Sequence, residues 1–175
     1  MTTLHDEKKG ALNVTLVSCG GKISLVRNKE NDGYAAIQVE IAKTKNKTVK
    51  KEFRTEGTEL KKGDEIKTDI FEIGDIVNVS GIAKAKGFQG VVKRHGFKGA
   101  PKTHGHKHDL RAPGSIGSGF PEHVTKGRKM AGRMGGKRSS SRNIEVAYVD
   151  KENNILGLLG PVPGIPGTIV EIRSK

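Results

Sequence analysis

The sequence holds a single cysteine, Cys19, in 175 residues. One thiol cannot close an internal disulfide, and a tetrahedral cysteine zinc site is excluded. Cys19 reads instead as a small apolar strand residue of a reducing compartment. No apolar run approaches the ~20 residues needed to cross a bilayer. The first residues, MTTLHDEKKG, mix both charge signs and lack the apolar stretch of a secretory signal. No stretch keeps a long apolar period of 3.6, so extended amphipathic helices are not expected. These absences leave a soluble, intracellular chain with room for one modest domain plus an extension.

Acidic residues are the next scarcity, and they are scarce in one place only. Residues 81–142 hold 15 of the 32 Lys+Arg but only two of the 19 acids, Asp109 and Glu122, so the whole formal charge of +13 lies there. The rest of the chain balances at 17 basic and 17 acidic residues. Core-forming side chains are thin in the same segment: Ile, Leu, Val and Phe supply 9 of its 62 residues, against 33 of the other 113. It also carries 13 of the 24 glycines. A highly charged segment with under about 20% of such residues is expected to be disordered alone. Like charges repel, and ordering glycine costs entropy that so few apolar groups cannot offset. Such a segment is expected to be ordered by a polyanion that neutralises it, nucleic acid first and an anionic membrane surface second.

The flanks have a different pattern. NVTLVSCG (13–20) and KISLVRN (22–28) are β-branched and partly alternating. A turn at Asn31-Asp32-Gly33 leads into a strand that reaches Ala42. GDEIKTDIF (63–71) and GDIVNVSGI (74–82) alternate behind Gly-Asp turn signals. NIEVAYVD (143–150), NILGLLG (154–160) and GTIVEIRS (167–174) follow the basic segment, with a turn at Glu152-Asn153-Asn154. KTKNKTVKK (43–51) reads as a solvated hairpin tip. The expected fold is mainly β: seven or eight short strands forming a small β-barrel with a long basic, mostly irregular insertion. The domain limits follow as 1–80 for the first part of the barrel, 81–142 for the extension and 143–175 for the second part.

The alternating histidines His104, His106 and His108 invite a metal reading, because period 2 on a strand puts all three on one face and three imidazoles suit zinc with an open position. The surroundings argue otherwise. Lys102, Lys107 and Arg111 would repel a dication, and no apolar shell is present to fix the rings. Neutral imidazoles there are better suited to hydrogen-bonding phosphates or 2′-hydroxyls and to stacking on bases. No metal, cofactor or small-molecule substrate is expected. Asp109 and Glu122 have no spacing that would pair them for acid–base work. SSSR (139–142) lacks a G-x-S-x-G elbow, and GPVPGIPG (160–167) lacks the Lys-Ser/Thr of a phosphate loop. GFQG (87–90) fits the G-x-x-G of a KH clamp but sits between strands rather than paired helices. An enzyme is not expected.

The nucleic-acid reading has positive content. Lys84, Lys86, Lys93, Arg94, Lys98 and Lys102 recur every few residues, with Phe88 and Phe97 between them. KGRKMAGRMGGKR (126–138) interleaves Lys126, Arg128, Lys129, Arg133, Lys137 and Arg138 with Gly, Ala and Met. Glycine lets backbone N–H groups approach phosphates, and Arg pairs bidentately with phosphate or stacks on bases. Phe88, Phe97 and Phe120 serve either as stacking platforms or as anchors that pack the segment on itself. Val91, Val92 and Met130 read as local packing. No helix of the helix-turn-helix kind is visible, so an irregular basic segment of this type suits folded RNA, recognised by shape.

SGIAKAKGFQGVVKRHGFKGAPKTHG, RAPGSIG and KGRKMAGRMGGKR, in that order, resemble the universal family of large-subunit ribosomal protein L three, in its short bacterial-type form. NDGYAAIQV (31–39), EFR (52–54), GDIVNVSG (74–81), NIEVAYVDKENNILGLLGPVPGIPG (143–167) and the last strand extend the likeness over most of residues 13–175. The resemblance implies a translation-protein-type barrel. It also implies a basic extension running into large-subunit (23S-type) rRNA toward the peptidyl-transferase centre, contacts with neighbouring large-subunit proteins, and a part in nucleating subunit assembly. Its RNA-facing motifs fall on Lys86-Gly87-Phe88-Gln89-Gly90, Lys93-Arg94-His95, Thr103-His104-Gly105, the Pro113–Gly117 turn with Ser115, and Lys126–Arg133. The implied setting is the ribosome, in the cytoplasm and away from membranes.

Three departures stand out. A GxKxGMT-like run usual at the start of the family is not found before MTTLHDEKKG, so the first strand is expected to be missing or replaced and the barrel less closed, or closed by a neighbour. IAKTKNKTVKKEFR is short and lacks a usual GHF piece. Phe120, in SGFPEH, stands near the place of a glutamine that many bacterial members methylate, so methylation is not expected, and Phe120 is left to pack or stack at the tip. A free-standing RNA chaperone or nucleic-acid-compacting protein is the alternative use of the same charge.

Overall fold

The structure is a computed structural model and describes residues 1–7, 9–44, 46–55 and 60–174. Lys8 of the N-terminal stretch, Lys45 of the expected hairpin tip and Lys175 after the last strand lie outside the described residues.

The chain is mainly β. Strands β1 (Thr2–Asp6), β2 (Gly10–Ser18), β3 (Gly21–Arg27), β4 (Ala36–Thr44), β5 (Lys47–Arg54), β6 (Glu65–Ile66) and β7 (Ile76–Ile82) precede β8 (Gly87–Gln89) and β9 (Gly132–Met134). β10 (Arg138–Asp150), β11 (Ile155–Leu159) and β12 (Glu171–Ser174) follow. Two short helices, α1 (Lys29–Asp32) and α2 (Val91–His95), interrupt them. The strands pair in the order β1-β2-β11-β10-β7-β12 in one sheet, β5-β4-β3-β6 in a second, and β8-β9 in a ribbon.

Both larger sheets are open, so the expected barrel closure is not formed by the described strands. The edge strands explain this. β6 has only two residues and β12 only four, too few ladder positions to zip one sheet to the other. Between the β5 and β12 edges, side chains make the connection instead of a ladder. Lys51 Nζ lies 3.4 Å from the Glu171 carboxylate, and the Arg173 guanidinium carbon lies 5.7 Å from the Phe53 ring centroid. The N-terminal residues are not a bare tail, because Thr2–Asp6 forms an antiparallel hairpin with β2.

Two further expectations need correction. Residues 63–71 are not one strand. After β6 the chain turns through a single 3-10 turn (Thr68–Ile70). Thr68 is fully buried there and its hydroxyl donates to the Asp150 carbonyl at 3.3 Å, while Phe71 enters the core. Ile70 is 66% exposed, so the apolar alternation does not mark a buried face. Residues 167–170 also fall outside β12, because Thr168 N–H and Oγ1 both donate to the Ile165 carbonyl, at 3.1 and 2.7 Å, and make a turn.

Contacts divide the chain into two compact units, one of residues 1–81 and 140–175, the other of residues 82–139. The first unit holds both apolar clusters. Phe71, Val77, Val79, Ile144, Val146, Leu156 and Leu158 form the larger one, and Ile23, Ile37 and Val39 the smaller. Burying each such side chain fully is worth about 1.5–3 kcal/mol. Cys19 packs against the larger cluster, and burial pushes its thiol pKa up, which keeps it protonated and unreactive.

Candidate nucleic-acid interface

The second unit is built around a small ribbon. Gly87, Phe88 and Gln89 pair with Met134, Arg133 and Gly132. Beyond the ribbon, Lys86 N–H donates to the Met134 carbonyl at 2.9 Å, Ala83 N–H to the Lys137 carbonyl at 3.0 Å, and Gly136 N–H to the Ala83 carbonyl at 3.1 Å. Gly135 has φ of +72°, and a Cβ there would collide with the Lys84 carbonyl, so this crossing requires glycine. Gly90, in extended conformation, then opens α2, and Gly96 ends it in the left-handed region at φ 74°.

Among the described residues, Val91 is the one buried large apolar side chain of this unit, at 3% exposure. Polar groups tie the rest. Arg94 Nη1 donates to the Met130 carbonyl at 2.6 Å, and His95 Nε2 lies 3.1 Å from the same oxygen. Gly132 leaves the space that the Arg94 guanidinium fills. These contacts pin residues 128–132 against α2. Nothing in the residue types singles out the Met130 carbonyl as a shared acceptor; the small residues around it, in MAGRMGG, are the only trace.

The structure places the cations named from the sequence at two levels of exposure. Arg94 and His95 are half-buried; Lys84, Lys86, Lys93, Lys98, Lys102, Arg111, Lys126, Arg128, Lys129, Arg133, Lys137 and Arg138 are exposed. The ion pairs Lys9–Glu145, Arg27–Asp32, Arg27–Glu52, Lys50–Glu40, Lys51–Glu171 and Lys151–Asp69 all belong to the first unit. Among the described residues, the cations from Lys84 to Lys137 have no ion-pair partner. Thirteen lysines and arginines in that span, against two acids, raise a positive local potential that attracts polyanions.

The aromatic residues separate into two roles. Phe97 is half-buried, with its ring centroid 6.2 Å from that of His95, and lines a concavity of about 390 Å³ together with Thr125, Lys126, Gly127, Arg128 and Lys129. Phe88 and Phe120 are 76% and 83% exposed. Phe88 is the register partner of Arg133 across the ribbon. Ser115 is exposed and turned to its own loop, its hydroxyl donating to the Gly117 carbonyl at 2.9 Å.

His104, His106 and His108 are exposed and lie on irregular backbone rather than on a strand, with His104 at a left-handed φ of 60°. The period of 2 therefore does not gather them on one face. Among the described residues, no three of His, Cys, Asp and Glu converge as metal ligands. No helix among those residues is long and apolar enough to cross a membrane.

A family model described as ribosomal protein L3 matches residues 3–159. The chain belongs to the ribosomal protein L3 family. Its curated relatives named large ribosomal subunit protein uL3 include those of Thioalkalivibrio sulfidiphilus, 42% identical over 99% of this chain and 92% of that protein, and of a Nostoc species, 40% identical over 98% and 91%. The relative from Chloroherpeton thalassium is 43% identical over 100% of this chain and 95% of its own length. Membership of the L3 family makes the chain a structural ribosomal protein and not an enzyme. In this L3-family member the match embraces the whole second unit and ends with β11.

Proposed function

We propose that the chain is a constituent of the large ribosomal subunit that binds large-subunit rRNA through the basic segment 81–142, extends that segment toward the peptidyl-transferase centre, and helps nucleate subunit assembly. The observation that carries this reading is the run of exposed cations from Lys84 to Lys137, without ion-pair partners among the described residues, on a glycine-rich backbone with almost no core. Lys, Arg and backbone N–H groups supply phosphate contacts, and exposed Phe88 and Phe120 supply faces for unstacked bases. The half-buried Arg94 and His95 act mainly by holding the 128–132 backbone in place. Neighbouring large-subunit proteins cover parts of the first unit, and the cytoplasmic ribosome is its working place.

Sedimentation of a cell lysate tests this. The chain is expected to co-migrate with large subunits at moderate salt. A chain that stays at the top of the gradient and binds RNA and DNA alike would instead be a free-standing nucleic-acid chaperone.

A further inference from the structure

The first unit carries a polar concavity of about 520 Å³ lined by Asn78, Ser80, Ser140, Arg142 and Asn143. None of these residues is among the individual RNA contacts named above, though Ser140 and Arg142 close the basic segment 81–142. β7 and β10 are neighbours in the six-stranded sheet. Along β7, Val77, Val79 and Gly81 are buried while Asn78 and Ser80 alternate with them, so the polar pair occupies the sheet face turned from the core.

The donors in this concavity are not used up. The Ser80 and Ser140 hydroxyl oxygens are 2.6 Å apart. One hydroxyl donates to the other, which leaves the second proton free to donate outward. Asn143 N–H donates to Asn78 Oδ1 at 3.2 Å, which fixes the carboxamide and leaves its NH₂ hydrogens without a partner among the described residues. Asn143 holds a left-handed φ of 55° to place that N–H. Arg142 is exposed and has no ion pair among the described residues. Glu171, opposite Ser80 in the β7–β12 ladder, is paired with Lys51 at 3.4 Å. The lining thus offers a guanidinium, a hydroxyl proton and a carboxamide, and no carboxylate.

We propose that this concavity binds a phosphodiester of an RNA backbone, with Arg142 pairing to the anionic oxygens and the serine pair and Asn78 donating beside it. A forked cation flanked by neutral donors matches phosphate oxygens. RNA is favoured over an acidic protein surface because the site's residues directly precede and follow the strongly basic segment 82–139 in the chain. The proposal rests on the reading of the chain as an RNA-binding ribosomal protein.

The test uses the full-length chain. In an NMR titration with a short oligouridylate, the amides of Ser80 and of Ser140, Ser141, Arg142 and Asn143 are expected to shift. Arg142→Gln is expected to abolish those shifts, to weaken binding to large-subunit rRNA about tenfold, and to flatten the log–log salt slope by roughly 0.7–0.9. Arg142 is exposed, so the variant should keep the wild-type amide spectrum elsewhere; Ser80→Ala with Ser140→Ala gives a second, charge-neutral variant. If amides in 82–139 shift while the Ser80 and Ser140 amides stay still, the site is refuted and the general RNA-binding reading stands. If the chain fails to bind rRNA but the site amides still move with oligouridylate in an Arg142-dependent way, that reading fails and the site stands. Movement with an oligoglutamate peptide and not with oligouridylate overturns the proposal.

Discussion

The two units of this chain solve the problem of order differently. Residues 1–81 and 140–175 pair several of their charges and bury Val14, Ile23, Val77, Val79, Val146, Leu156 and Leu158 to 1% exposure or less. Residues 82–139 bury Val91 and otherwise rely on a three-residue ribbon, one short helix and polar contacts to Met130. Apolar burial stabilises the first unit from within. The second devotes its sequence to cations and glycine, which gives it a surface suited to phosphate and little stability of its own. The contrast teaches that one chain can place its apolar core and its excess positive charge in separate stretches.

The largest effect should come from removing the contrast altogether. Replacing residues 82–139 with a short linker is expected to abolish most rRNA affinity while the remaining residues still unfold cooperatively in urea. Filter binding across a salt series and a urea melt measure the two halves of that expectation. The log–log slope should flatten by roughly 0.9 for every phosphate released on duplex, or about 0.7 on single strands. Survival of binding with an unchanged slope would put most of the phosphate contacts on the first unit, beyond the single site proposed there.

The charge map is the most legible part of the sequence, because charge needs no folding to be counted. Much of β2 from Asn13 and of β10 from Asn143 is legible too, since a buried face imposes partial alternation, whereas β11 is legible only as an apolar run because Leu156, Gly157 and Leu158 are all buried. Residues 63–71 mislead. Their alternation is set by a turn that buries Thr68 and by an exposed Ile70, neither of which follows from period alone. The start of β10 at Arg138 is hidden because RSSSR has no apolar rhythm. That the sheets stay open is equally hidden, since it depends on how many ladder positions β6 and β12 supply. Within the basic segment, residue type does not separate the cations that face solvent from those that hold the loop. Arg94 and Arg128 look alike in sequence, yet only Arg94 has a carbonyl and a glycine gap arranged for it.

The next prediction sharpens the stability side. Leu158→Ala, in the larger cluster, should cost about 2–5 kcal/mol in urea unfolding, whereas Val91→Ala should cost about 1–2 kcal/mol and act only on the second unit. Equal effects on global unfolding would mean that the two units are one cooperative body. Arg94→Gln should lower the local opening energy at residues 128–132 by about 1–2 kcal/mol, read by hydrogen exchange, and leave the first unit's exchange unchanged.

The smallest effect concerns the Asp150 turn of the first unit. Hydrogen bonds from the Asn153 side chain and then its backbone N–H, with Glu152 N–H, hold the Asp150 carboxyl below its ordinary value of 3.8. A carboxylate whose folded pKa is lowered stabilises the fold above its unfolded value, and that contribution is lost as pH falls through the folded one. Asp150→Ala should therefore destabilise slightly at neutral pH and lose its effect in acid below 3.8. A pH series of melts that shows the same difference at both ends would contradict the turn's role.

Hydrogen exchange on the full chain, free and bound to large-subunit rRNA, measures the division between scaffold and contact surface most directly. Amides from Lys98 to Lys129 should exchange rapidly in the free chain and become protected on the RNA, while Val77, Val79, Val146, Leu156 and Leu158 stay slow in both states. Slow exchange from Lys98 to Lys129 without RNA, unchanged when RNA is added, would contradict the account.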